Sequence, residues 1–280
     1  MTSVRSGSDR SIRLSVMAPV AQLIDKRGLI YSLSRQKIVS RYRGSIIGPA
    51  WALLAPAMHL AIYTLVFGVI FKPRWATEST ETTEYALLLY LGLCVFWFLS
   101  ECISEAPGLI REHSNFVKKV VFPLEVLVWE SVARAVFHLC LRLVVYLVAY
   151  CVIEGWPPVT ACLLPIVLVP LVFFTAGLSW LLSAIGVFAR DVGEFVSLAL
   201  TALLFLSPVF YALESVPEAF RFLMQLNPLT EPVGELRDIA YFGRWLDPRS
   251  WLVSLCASYA VAWVGYAFFR RIRGGFADVL

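Results

Sequence analysis

Apolar residues in this chain come in six long runs, at roughly 49–71, 85–106, 126–153, 159–188, 195–211 and 251–269, separated by short polar stretches. A bilayer core of about 30 Å needs roughly 20 apolar helical residues, and each run is close to that length. Only helices and closed barrels satisfy every backbone N–H and C=O within lipid. The runs are too long and too continuously apolar for barrel strands. The pattern therefore predicts an all-α integral membrane protein with six transmembrane helices. An even number of spans places both chain ends on one side.

Two polar regions carry patterns of their own. In the arm at 1–45, Tyr31, Arg35, Ile38 and Tyr42 recur at helical spacing, with Lys37 and Arg41 on the opposite side. This predicts an interfacial amphipathic helix over 29–43, in which Arg35 snorkels to the headgroups. The long connection at 212–250 holds the clusters Val216, Phe220, Leu223, Met224 and then Leu229, Val233, Leu236, Ala240, broken by Pro217, Asn227-Pro228, Pro232 and Asp247-Pro248. Neither piece is long enough to span. Two short helices dipping into the membrane, or lying on it, would bury those faces, and backbone that turns inside a membrane needs protein or a water-filled cavity beside it.

Composition agrees with the pattern. Of 280 residues, 59% are hydrophobic, so most of the chain sits in lipid. No cleavable signal sequence is read in the polar, basic stretch 1–43. Sixteen lysines and arginines fall in the arm, in the connections at 108–123 and around Arg190, and at the C-terminal end. Six fall on the other side: Lys72, Arg74, Arg221, Arg237, Arg244 and Arg249. The positive-inside rule puts both termini in the cytoplasm. The net charge of +4 follows from this asymmetry and makes no case for nucleic acid. The cysteines at 94, 102, 140, 151, 162 and 256 lie within apolar runs, form no CxxC, and read as packing residues. His59, His113 and His138 are too scattered for a metal site.

The catalytic signatures are missing. There is no GxxxxGK[ST], HExxH or GxSxG, so the chain is read as a non-enzyme without cofactor. Energy must come from an ion gradient or from another subunit. Within the third run, Glu130, Arg134, His138 and Arg142 follow one another at i+4 and share a helix face. A charge at mid-bilayer costs about 2.5–3.5 kcal/mol on insertion scales, so this face turns to the protein interior or a cavity. Either Glu130 pairs with Arg134 while Arg142 snorkels outward, or the face touches an anionic or sugar substrate. Glu101 and Glu105 in the second run could partner Arg134. Trp51, Tyr63, Phe67 and Phe71 in the first run, and Phe205, Phe210 and Tyr211 at the end of the fifth, suit either interfacial belts or a conduit that stacks on sugar rings.

The arm and first run read RYRGSIIGPAWALLAPAMHLAIYTLVFGVIF, with Arg41-Tyr42-Arg43-Gly44-Ser45, Gly48, Trp51, Leu54, Pro56, Tyr63, Phe67 and Phe71 in register. Then follow VKKVVFP ending at Pro123, Arg190-Asp191, Pro208 with Tyr211, and Asn227-Pro228-Leu229. The ordered set resembles the ABC-2 type permeases of the O-antigen, capsule, galactan and teichoic-acid exporters, over about 29–273. The resemblance implies the ABC-2 (type V exporter) fold, with a transmembrane domain at 46–273 and a cytoplasmic tail at 274–280. It implies a homodimer in the bacterial cytoplasmic (inner) membrane, bound to two copies of a cytoplasmic ABC ATPase that carries ATP and Mg. The cargo it implies is a lipid-linked glycan.

By the same resemblance 108–123 is the coupling helix, with Arg111, Glu112, His113, Phe116, Lys118 and Lys119 on the ATPase. The outer gate is about 214–248, with Pro208, Asn227 and Pro228. Runs one and five become conduit walls, which raises Trp51, Tyr63, Phe67, Phe205 and Tyr211 to conduit candidates beside Arg134, His138 and Arg142. Arg41 and Arg43 at the cytoplasmic surface either anchor the helix or engage a lipid-linked pyrophosphate bidentately. An exporter of small hydrophobic compounds sharing the fold, and a scaffold for a glycan synthase, are the other readings.

Overall fold

A computed structural model of the chain describes residues 15–43, 47–66, 82–119, 122–211, 213 and 216–280. Phe67, Phe71, Gly44, Ser45 and the side chains of Tyr42, Lys118 and Lys119 lie outside the described residues.

Helices α1 (Ala18–Asp25) and α2 (Arg27–Tyr42) precede α3 (Trp51–Tyr63), which begins after a turn at Gly48 with φ 57°. Next come α4 (Thr82–Glu112), the short α5 (Ser114–Lys119) and α6 (Val126–Ile153). A 3-10 turn, α7 (Leu164–Val167) and α8 (Val169–Phe188) form one continuous apolar stretch, Val159–Phe188. The chain continues through α9 (Val192–Phe205), α10 (Glu218–Gln225), α11 (Thr230–Ala240), α12 (Pro248–Ile272) and α13 (Phe276–Val279).

Four of these stretches are long and apolar enough to cross a bilayer: Thr83–Glu112, Val126–Ile153, Val159–Phe188 and Pro248–Val279. Two shorter apolar helices, Trp51–Val66 and Val192–Phe205, stand where the first and fifth spans are expected. Helix α4 is central, with 83% of its apolar window buried; α8, α6, α9, α11 and α3 pack around it. It runs on through Pro107 to Glu112 and does not end near residue 106, so Arg111 and Glu112 extend the span, and only His113 onward belongs to the turn and α5.

Spans α8 and α12 form the most extensive helix pair. Its closeness depends on two glycines. A Cβ on Gly177 would lie 2.6 Å from the Ala262 Cα, and one on Gly265 would strike the Gly177 carbonyl oxygen. Small residues let membrane helices approach backbone to backbone. Gly265→Val is therefore expected to abolish accumulation of folded protein, costing more than the usual 1–3 kcal/mol or so of overpacking, because the obstacle is backbone. Gly274→Ala, which meets nothing within 4 Å, should match wild type in detergent gel-filtration yield.

The segment after α9 is helical as its clusters suggest, with Leu229, Val233, Leu236 and Ala240 buried. One detail differs. Pro232 does not break the chain but sits in the first turn of α11, where its missing N–H has no helical acceptor.

Candidate functional site

The charged row of α6 faces inward, and α4 supplies its counter-ions. Arg134 binds Glu101 through Nη1 at 3.1 Å, Glu105 through Nη2, and lies 3.5 Å from Glu130. Glu101 also receives His138 Nδ1 at 2.6 Å and Arg142 Nη2 at 3.5 Å. Glu101 and Glu105 sit one helical turn apart, so they present both carboxylates to residues of α6 that are themselves a turn apart. A planar guanidinium can fork between two such acids, which a point-charge ammonium cannot.

Arg142 does not snorkel outward. Its guanidinium lies 5.5 Å from the centroid of Trp97 and points to Glu101, because a carboxylate and an aromatic face are both within reach inside.

The row also reaches the arm. Lys37 Nζ lies 2.9 Å from Glu130 Oε2, and Ser34 Oγ donates to the Glu130 carbonyl at 3.2 Å. The face of α2 that packs on α6 therefore runs through Ile30, Ser34 and Lys37, while Tyr31 is 69% exposed. Tyr31 and Arg35 lie on the exposed side of the helix. A fully buried Glu130 needs a cation, and Lys37 supplies it, since an unpaired buried carboxylate costs several kcal/mol.

At the far end of the row, α2, α3, α4 and α6 enclose an open cleft of about 400 Å³. Arg41, Trp51, His59, Trp97, His138 and Arg142 line it, with Ala52, Ala55 and Pro56 leaving its wall low. Trp97 is held by His59, Tyr63 and Tyr90, at ring-centroid separations of 5.0, 6.0 and 6.0 Å. Two polar atoms of its lining residues, His138 Nε2 and Arg142 Nη1, are buried with no hydrogen-bond partner among the described residues.

The structure thus gathers Arg41, Trp51, His138 and Arg142 in one place and sets Tyr63 just behind them. It leaves other expected residues elsewhere. Arg43 lines separate grooves beside Ser32 and Leu53. Phe205 stacks on Phe210 at 5.9 Å, and the Tyr211 hydroxyl donates to the Phe205 carbonyl. Asn227 is a structural clasp: Nδ2 donates to Leu206 O at 3.1 Å and Oδ1 accepts from Leu229 N at 2.9 Å. Pro228 lines a groove between α8 and α12. The Pro208 carbonyl accepts from Arg237 Nη1 at 2.6 Å. On the opposite end, His113 and Phe116 stack at 5.9 Å and Phe116 and Phe122 at 4.7 Å.

Four participants escape sequence reasoning. His59 and Trp97 sit within apolar runs and look like any other residue there. Glu125, fully buried, holds Arg270 at 2.8 Å and Arg273 at 2.9 Å, tying the end of α12 to the start of α6. Arg237 reads as a loop charge yet is 5% exposed, with Nε on Leu88 O at 2.9 Å and Nη2 on Val209 O at 2.8 Å.

A bundle of long apolar helices around a buried charge network, with a polar cleft opening among them, defines a multi-pass membrane protein of the transporter class. The chain belongs to the ABC-2 type transporter family, whose model matches residues 28–241. It is similar to the O-antigen export system permease protein RfbA of Myxococcus xanthus, 28% identical over 261 residues that cover 92% of this chain and 98% of the relative. RfbA of Klebsiella pneumoniae is 26% identical over 90% of this chain and 95% of its own length. The polysialic acid transport protein KpsM of Escherichia coli is 19% identical over 86% and 92%.

Proposed function

We propose that the chain is the membrane subunit of an ATP-driven exporter of lipid-linked polysaccharide. The cleft carries this reading: two arginines, a histidine and stacked aromatic rings suit a hydroxylated, charged cargo, in a chain whose near full-length relatives are named for O-antigen export. An exporter of small hydrophobic compounds would want a closed apolar cavity and fits less well.

In this reading six helices cross the bacterial inner membrane, α3 and α9 being the first and fifth, with both termini cytoplasmic. Two copies of the chain face each other across a conduit walled by α3 and α9. Trp51, Tyr63, Phe67, Phe205 and Tyr211 offer stacking faces along it, without deep charge wells that would hold a polymer still. Helix α3 has no buried residue, and α9 buries only Val196 and Leu200, which supports a wall turned toward something other than its own bundle.

Two copies of an ATPase subunit would bind Arg111, Glu112, His113, Phe116, Lys118 and Lys119 and move α2 and α5. Glu130 would carry the motion of Lys37 into the row on α6. Arg41 and Arg43 would meet the lipid-linked phosphate at the cytoplasmic surface. Helices α10 and α11 would form a re-entrant outer gate, with Pro208, Asn227 and Pro228 at its hinge.

The test is purification of the tagged chain from its host in mild detergent. A stoichiometric P-loop subunit should accompany it, and a hydrolysis-dead mutant of that subunit should trap glycan in the cytoplasm. A pure chain without any ATPase would sink the reading.

A further inference from the structure

We propose that the cleft between α2, α3, α4 and α6 contains a subsite for one acidic sugar unit, with Arg142 on its acidic oxygen, His138 on a neighbouring hydroxyl and Trp51 against its ring. This deepens the export reading and rests on it only for the identification of the cargo as a glycan.

Three observations lead there. First, His138 is 7% exposed, and its Nδ1 is engaged by Glu101 while its Nε2 has no partner among the described residues. Arg142 likewise gives Nη2 to Glu101 and leaves Nη1 buried without one. A buried polar group left unpaired costs about 1–3 kcal/mol. Two such atoms, from adjacent turns of one helix lining one cleft, are arranged for a ligand that pairs with both.

Second, the charges choose the ligand. In the buried network Lys37, Arg134 and Arg142 offset Glu101, Glu105 and Glu130. Arg41, which lines the same cleft, adds a positive charge that this set does not cancel. The cleft is therefore cationic and prefers an oxyanion. With Nδ1 engaged by Glu101, Nε2 is left for a hydroxyl, which can both donate and accept. Acid and hydroxyl side by side describe a sugar phosphate or a sugar acid.

Third, the rings divide the work. Trp97 is occupied in holding the Arg142 guanidinium and His59. Trp51 is 38% exposed and free to stack on a pyranose face. A volume of about 400 Å³ is within the range of small-ligand sites.

The acidic group has two possible sources, the glycosyl phosphate at the lipid end or an acidic residue within the glycan. Saturation-transfer NMR on the full chain in lipid nanodiscs separates them, with glucose 1-phosphate, glucuronate and methyl glucoside as probes. At least one acid should bind tenfold or more tighter than methyl glucoside. R142Q should lose that tenfold advantage, and Arg41→Gln should lose part of it. R41Q removes no partner of Glu101, so it decides the matter alone should R142Q fail to fold. A preference for glucose 1-phosphate assigns the subsite to the lipid end, and a preference for glucuronate assigns it to the glycan. Equal binding of both acids makes it general for acidic sugars. Methyl glucoside binding as well as the acids, no binding by any probe, or acid binding undiminished in both variants would overturn the proposal. The assay needs neither ATPase nor export, so its failure is separate from failure of the export reading.

Discussion

Arg134→Leu is expected to lower the thermal midpoint of the purified chain by roughly 6–20 °C. The arginine is the shared cation of Glu101, Glu105 and Glu130, and its side chain is 8% exposed. Removing one partner of a buried ion pair costs about 3–5 kcal/mol, because the abandoned charge has no water to turn to. For a chain of this size each kcal/mol moves the midpoint by about 2–4 °C. Glu105, 44% exposed, contributes least to that cost, since solvent screens it. Glu130 keeps Lys37, and Glu101 keeps His138 and Arg142, so the fold should weaken rather than vanish. Arg134→Lys should fall between the two, retaining charge while losing the fork. A leucine variant that melts with wild type would mean that water, and not Arg134, satisfies these acids.

The second large effect belongs to Arg237. Its guanidinium takes the carbonyls of Leu88, Pro208 and Val209, so one side chain joins α11 to α4 and to the turn after α9. Hydrogen bonds to a charged group are worth about 1.5–3 kcal/mol each, and a buried carbonyl left bare costs about 1–3 kcal/mol. Arg237→Leu should therefore destabilise by at least about 3 kcal/mol and free the segment 216–247. The expected readout is protease cleavage within that segment under conditions where wild type is intact. Gly92 belongs to the same design: a Cβ there would lie 2.9 Å from Arg237 Nη2, so Gly92→Ala should reproduce a milder form. Unchanged cleavage in Arg237→Leu would show that the buried face of α11 alone holds the segment down.

The positions of the helices were legible because hydrophobic runs of bilayer length leave little choice of structure. The run 126–153 coincides with α6, and 159–188 with the continuous stretch ending at Phe188. The i+4 row on α6 was legible for the same kind of reason: a fixed helical period makes its side chains neighbours, whatever surrounds them. Glu101 and Glu105 could be named as partners because each lies on a span with few other charges. Local pattern stops there. Nothing in the neighbourhood of Lys37 announces that its partner is Glu130, 93 residues on. Weighing the cost of a charge in lipid left Arg142 free to snorkel outward, one of two readings of its face, because the Trp97 ring and Glu101 that hold it lie on another helix. Arg237 is hidden more thoroughly, since a guanidinium satisfied by main-chain carbonyls leaves no complementary side chain to notice. The cleft needed four helices to meet, and only Arg41, Trp51, His138 and Arg142 carried any mark of it.

The meeting of Gly177 with Gly265 bears on how this molecule can work. Contact between main chains has no rotamers to absorb a displacement, so α8 and α12 behave as a single beam. Side chains, by contrast, can slide and repack, and α3 and α9 present mostly side chains that the bundle does not enclose. Stiffness and compliance are thus divided between the two pairs. A force applied to this protein would not bend the beam; it would go to the helices that have slack.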